Sequence, residues 1–310
     1  MCNVTKDEFA TTLKKELQKR NPYWSIQITH VPKVNGIVLT GLLVLSDKSN
    51  ISPTIYLENF YKEYKAGLSL EAIVEKVESL YYEHNVDEVC FDVKKLLDFE
   101  NVKSRLLFKV INKEKNKELL LRVPNKNFHD LVIVFYVLLS DEEWLDGLAS
   151  VLVDNKMLEY WKCNLDEIYD IAFKNTRELF KPVIKPIQQV VMELAREDPD
   201  VEITEAEMQC LCGDTLMYYA SNDRKYQGAS ILLYEDVLMN FAEMHGDFYI
   251  LPSSLQELLF VPMSTLDLDV NGLRAMVKEI NADCLEEELF LSNNVYIFRE
   301  KEKTLDVVTV

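Results

Sequence analysis

The residues in this chain that could carry chemistry are few and widely spaced. His129 and Asp130 are adjacent, and a carboxylate beside an imidazole can fix its tautomer and make it an oriented base. Neighbouring side chains on a strand or helix diverge, however, and this pair stands just before an apolar run. Acid–base work there would need partners from loops elsewhere, such as Ser253 or Asn222. The other histidines, His30, His84 and His245, stand far from one another. Cys210 and Cys212 form a C-x-C with no second pair or nearby histidine to complete a tetrahedral metal site. Asp198, Asp200, Glu202, Glu205 and Glu207 have the spacing of a calcium loop. Ile203 occupies the position that needs glycine, and Gln209 the position that needs a bidentate carboxylate. Gly36 and Gly41 flank a strand-like Ile-Val-Leu-Thr, which is no phosphate loop, and no G-x-S-x-G is present. The expectation is therefore no metal and no cofactor, and the motif content points away from an enzyme. The competing expectation is a hydrolase or transferase with a dispersed site near His129.

Charge is the more informative feature. The chain has 310 residues with 34 basic and 52 acidic side chains, a net charge of −18. Residues 1–185 hold 26 bases and 28 acids, whereas residues 186–310 hold 8 and 24, so the last part carries −16 of the total. Such a surface repels nucleic-acid phosphates and anionic lipid, which argues against direct binding to either. It suits a protein partner with a basic surface. The candidate contacts are Asp198, Asp200, Glu202, Glu205, Glu207, Glu286, Glu287 and Glu288. Residues 103–126 are the exception, with eight bases and two acids, and read as a solvated hairpin able to dock on the acidic part of its own chain. Only 8 glycines are present, well below the average usage of roughly 7%.

The elements that must position these residues are legible from periodicity. Thr5 and Glu8 form a capping box ahead of a Phe9, Leu13, Leu17 stripe, and Leu70, Ile73, Val74, Val77, Leu80 and Tyr81 repeat with a helical period. Asn164 with Glu167, Thr204 with Glu207 and Ser254 with Glu257 are further helix starts. Strands are expected at 25–31, 37–45, 105–111, 131–139, 149–153, 215–220, 229–234, 248–251, 258–262 and 295–299. Three stretches share an order of strand, polar turn, strand opening on a serine, and helix: 44–60, 138–158 and 219–238. The later two both contain Ala-Ser, at Ala149-Ser150 and Ala229-Ser230, and suggest an internal repeat.

Asn50 to Leu57, Asn112 to Leu120 and Leu251 to Ser254 resemble segments of an uncharacterised protein family of Gram-positive anaerobes, a domain of unknown function, over nearly the whole chain. A weaker likeness joins Leu106 to Met263 with a second uncharacterised bacterial family. Neither supplies an activity, cofactor or site residue. The resemblance implies a bacterial cytoplasmic protein, loosely associated with mobile-element cargo.

The expected fold is α+β, built of hairpin–helix modules with mainly antiparallel sheet and helices packed on one face. Modules are expected at 1–99, 100–185 and 186–310, with the proline pair Pro182 and Pro186 at the last seam. A cytoplasmic location fits the six irregularly spaced cysteines, the lack of an apolar leader in residues 1–20, and a longest apolar run of only nine residues, Leu131 to Leu139.

Overall fold

A computed structural model describes residues 4–45, 54–83, 93–144, 147–197, 217–265 and 269–308. The fold is α+β with antiparallel sheets. The chain divides into two compact units, one of residues 1–101 with 138–150, the other of residues 102–137 with 151–310. The expected seam at 185/186 falls within a strand of the second unit.

The first unit begins with α1 (Lys6–Arg20). The Thr5 hydroxyl accepts from Glu8 N at 3.3 Å and the Glu8 carboxylate accepts from Thr5 N at 2.8 Å, so two amides that a helix start leaves open are satisfied. Strands β1 (Ser25–Pro32), β2 (Val38–Leu45) and β3 (Thr54–Tyr56) form an antiparallel sheet in that order. Period-2 alternation turns Ile26, Leu42, Val44 and Ile55 to one face. Phe9, Leu13 and Leu17 of α1 pack there, together with Ile73, Val74 and Val77 of α3 (Leu70–Glu83), after the short α2 (Glu58–Lys65). Both helical stripes read from the sequence are thus core faces.

Next in the chain, α4 (Phe99–Val102) runs into β4 (Leu106–Asn112), and α5 (Lys117–Leu120) leads to β5 (Asn125–Phe128) and β6 (Leu131–Trp144), elements that the boundaries at 101/102 and 137/138 cut between the two units. The strand order is β4-β6-β5, and β7 (Gly147–Leu152) also pairs with β6. The basic stretch is therefore not a hairpin. Its two strands pair with opposite sides of β6 and not with each other, because the apolar β6 has both edges to satisfy. Helix α6 (Asn155–Trp161) precedes α7 (Leu165–Leu179), which starts on an Asn164–Glu167 capping box. On β4, the Phe108 ring stacks on Phe173 of α7 at 5.9 Å, and Phe108 N donates to the buried Thr176 hydroxyl at 3.0 Å.

The second sheet has six strands in the order β13-β12-β10-β11-β9-β8, all neighbours antiparallel. They are β8 (Pro182–Pro186), β9 (Tyr218–Asn222), β10 (Phe248–Leu251), β11 (Leu258–Pro262), β12 (Tyr296–Arg299) and β13 (Thr304–Val307). The proline-flanked seam becomes an edge strand, where a missing N–H costs no ladder bond. Among the described residues the second unit also contains helices α8 (Ile187–Glu197), α9 (Glu235–His245) and α10 (Val270–Asp283). Here the expectation of helices on one face needs correction. Phe248, Phe260 and Phe298 face α9, where Phe241 meets the first two at 4.7 and 5.2 Å. Tyr249, Val261 and Ile297 point the other way and pack with Leu273 and Val277 of α10. Both faces are apolar, so both are covered.

Two further expectations are overturned. Residues 228–233 form a 3-10 helix, not a strand, so the third strand–turn–strand copy lacks its second strand. Periodicity cannot separate a buried strand from a buried helical turn in so short an apolar run. Ser254 and Glu257 do not start a helix; Ser254 accepts from Gln256 N at 3.0 Å in the turn between β10 and β11. The Thr204–Glu207 pair lies outside the described residues.

Candidate functional site

His129 and Asp130 are the two turn residues between β5 and β6. A two-residue hairpin turn needs left-handed backbone, and His129 supplies it at φ 52°. Its ring is exposed and lies against Phe128 at 4.8 Å and Tyr296 at 6.2 Å. Asp130 turns elsewhere. Its carboxylate accepts from the Ser292 hydroxyl at 2.6 Å and from the Tyr296 hydroxyl at 2.7 Å, one oxygen each. Both donors are buried. The charge–hydrogen-bond pairing that the sequence placed between neighbours is in fact made across 162 and 166 residues.

The Tyr296 phenol is pushed far above its ordinary value, first by burial and then by the Asp130 charge beside it. It stays protonated and remains a donor. Ser292 also accepts from Asn294 N at 2.9 Å, which orients it as part of a turn. Asp130→Ala would strip the acceptor from two buried hydroxyls. A loss of about 2–4 kcal/mol of unfolding free energy is expected, with Asp130→Asn milder because one oxygen remains. Urea denaturation midpoints check this, and an alanine variant as stable as wild type would refute the role.

The same turn adjoins the basic connection. Lys113 N donates to Asp130 O at 3.2 Å. Asn112 Nδ2 donates to Leu291 O at 2.9 Å while its Oδ1 accepts from Lys115 N at 2.8 Å, and the Lys115 ammonium sits 4.4 Å from the Phe290 ring centre. The basic connection is therefore docked on the segment that follows Glu286, Glu287 and Glu288, with Glu286 and Glu287 exposed. The rest of the basic set is dispersed: Lys117 pairs with Glu114, and Lys126 with Asp166 at 3.3 Å.

Residues 6–300 match the model of one protein family. The chain belongs to DUF5688, a family of unknown function. No curated protein and no solved structure matches it. In this DUF5688 chain, Asp198, Asp200, Glu202, Glu205 and Glu207, like Cys210 and Cys212, lie outside the described residues. Asn222 is consumed locally: its Oδ1 accepts from Arg224 N and Tyr226 N, and its Nδ2 donates to Tyr226 O. Ser253 donates to Glu257 at 3.2 Å. The hydrogen bonds of both are made within their own turns and not to His129. Among the described residues no helix is long and apolar enough to cross a membrane, and no group of three or more His, Cys, Asp or Glu could hold a metal ion.

Sequence reasoning missed Ser292 and Tyr296 altogether. No local signal marks them, since Ser292 reads as a loop residue and Tyr296 as one of many strand aromatics.

Proposed function

We propose that this DUF5688 protein is a cytoplasmic interaction protein of Gram-positive anaerobic bacteria whose acidic C-terminal part receives a basic surface of a partner protein. The observation that carries the reading is the segregation of charge, with 24 acids against 8 bases from residue 186 onward. Its described acidic face runs along the end of α10 and the turn after it, where Glu279, Asp283, Glu286 and Glu287 are exposed. Because the basic connection at 113–117 docks beside Phe290 and Leu291, the face left for a partner is the outward one of α10 and residues 283–287. In its sharpest form the reading has the acidic surface stand in for nucleic-acid backbone on a DNA-handling enzyme, as cargo of a mobile element.

Exposed charge of one sign speeds association, and salt screens it within about 8–10 Å. Glu279→Gln, Asp283→Asn, Glu286→Gln and Glu287→Gln combined are expected to lower partner capture at least tenfold and to flatten its salt dependence. The same neutralisation at the exposed Glu71 and Glu83 of α3 leaves capture unchanged. Salt-stepped affinity purification from a bacterial host with mass spectrometry measures this. Competition by duplex DNA tests the mimicry. If capture is insensitive both to salt and to the α10 substitutions, the proposal is wrong.

A further inference from the structure

Independently of the acidic C-terminal part, the first unit presents a cluster of aromatic rings at its surface. Tyr23 and Trp24 lie between α1 and β1, and Tyr81 and Tyr82 stand in the last turn of α3. Tyr81 is buried, and Trp24 rests on it with ring centres 4.4 Å apart. The Tyr82 ring is 5.9 Å from Trp24 and 5.5 Å from Tyr81. The outer members face solvent, Tyr23 being 98% exposed and Tyr82 58%. A lone exposed ring needs no explanation, but contiguous aromatic surface marks a contact site. Its rim is negative. Arg20 stands 3.7 Å from Glu75 and 3.6 Å from Glu78, so two carboxylates share one guanidinium. Asn21 ties that rim to the rings, donating to Glu78 at 2.6 Å and accepting from the Tyr82 hydroxyl at 3.3 Å. The other nearby base, Lys19, is held by Glu16 at 2.5 Å.

Elsewhere the chain covers its half-exposed rings with its own cations. A lysine ammonium lies between 4.3 and 5.9 Å from the ring centres of Tyr56, Tyr61, Tyr169 and Phe290. Among the described residues no such cation stands over Tyr23, Trp24 or Tyr82, because both nearby bases are turned to carboxylates. Ring faces attract cations, and a carboxylate beside them adds to the attraction. Arginine answers both, since its flat guanidinium stacks on a ring while its N–H groups fork onto a carboxylate. We propose that this cluster binds an arginine-bearing segment of a partner protein. Its guanidinium groups stack on Tyr23, Trp24 and Tyr82 and pair with Glu75, whose side chain is 69% exposed. Tyr, Trp and Arg are also the residues that dominate binding energy at interfaces. The C-terminal acids play no part in this contact.

Fluorescence anisotropy of a labelled Gly-Ser peptide carrying several arginines, titrated with the full chain, tests this. A peptide with lysine at every arginine position has the same charge and is the comparison. Salt of about 0.3 M screens diffuse attraction to the C-terminal acids. The arginine peptide is expected to bind roughly three- to tenfold more tightly than the lysine peptide. Tyr23→Ala combined with Tyr82→Ala is expected to weaken arginine binding about fivefold or more and to erase the preference. Tyr23→Ala serves alone if the double variant does not fold, since that ring stands outside the core. The combined α10 substitutions are expected to leave the preference intact, so this proposal and the one on the acidic face fail separately. Equal binding of the two peptides, binding of neither, or a preference that survives loss of the tyrosines would overturn the proposal. So would sedimentation velocity in which the wild-type chain self-associates and Tyr23→Ala does not, which would make the cluster a contact between two copies.

Discussion

Raising the pH above 10 is expected to unfold the second unit between about pH 10 and 12. Tyr136 is wholly buried, and burial, followed by the nearby Tyr226 and Tyr234 phenols, holds its hydroxyl well above the ordinary value of 10. Tyr296 is held up by burial and by Asp130. Tyr169, Tyr218, Tyr219 and Tyr234 shift the same way, each chiefly through burial. In the unfolded chain these phenols lose their protons near pH 10, while the fold still holds them. The folded state then binds more protons, so stability is fully present below pH 10 and falls as pH rises. Each phenol that stays protonated in the fold removes about 1.4 kcal/mol per pH unit. Tyr136 and Tyr296, the two most deeply buried of these phenols, act together over this range, against the roughly 5–15 kcal/mol that holds a whole domain together. Circular dichroism followed along with phenolate absorbance checks this. The expected trace has the exposed tyrosines ionising first and the buried ones only as the fold is lost. Tyr136→Phe is expected to move the alkaline midpoint upward even if it weakens the fold at pH 7. Smooth ionisation of every tyrosine near pH 10 with the fold intact would sink the account.

Gly228→Ala is the substitution expected to do most damage at neutral pH. A Cβ at this position would stand 2.2 Å from Gln256 O, 2.2 Å from Ser221 Oγ and 2.9 Å from Ser221 Cα. Two of those atoms are backbone, so no rotamer change relieves the clash. Ser221 is itself fixed by donating to Gln256 O at 2.6 Å. Either β9, a strand of the six-stranded sheet, or the turn that joins its strands β10 and β11 must move. A loss of about 3 kcal/mol or more is expected, at the upper end for overpacking a filled core. Gly41 is the control. Its added Cβ would meet Thr54 Cγ2 at 2.1 Å, but the next contacts are at 3.6 Å, and a threonine methyl can turn away. Gly41→Ala should therefore cost less than half as much. Equal losses at the two sites, measured by urea unfolding, would show that backbone crowding at Gly228 is not the cause.

Both expectations depend on contacts that no window of sequence contains. The elements that read well did so because their physics is local. The Thr5 and Asn164 capping boxes act over three residues, the α1 and α3 stripes over four, and the β1 and β2 alternation over two. What failed, failed at that same range. The run at 228–233 is too short to have a period, and a basic stretch between two strands says nothing about which third strand both will pair with. The Pro182–Pro186 seam reads as a break because proline interrupts helices, although an edge strand tolerates it.

His129 and Asp130 show the division most clearly. The sequence alone determined that this chain is α+β, that it carries its negative charge at one end, and that a histidine and an aspartate stand together at the start of an apolar strand. Only the tertiary structure decided that the aspartate serves Ser292 and Tyr296 while the histidine supplies a turn. The reason is that a buried hydroxyl must find an acceptor wherever the fold brings one, and chain distance has no part in that requirement.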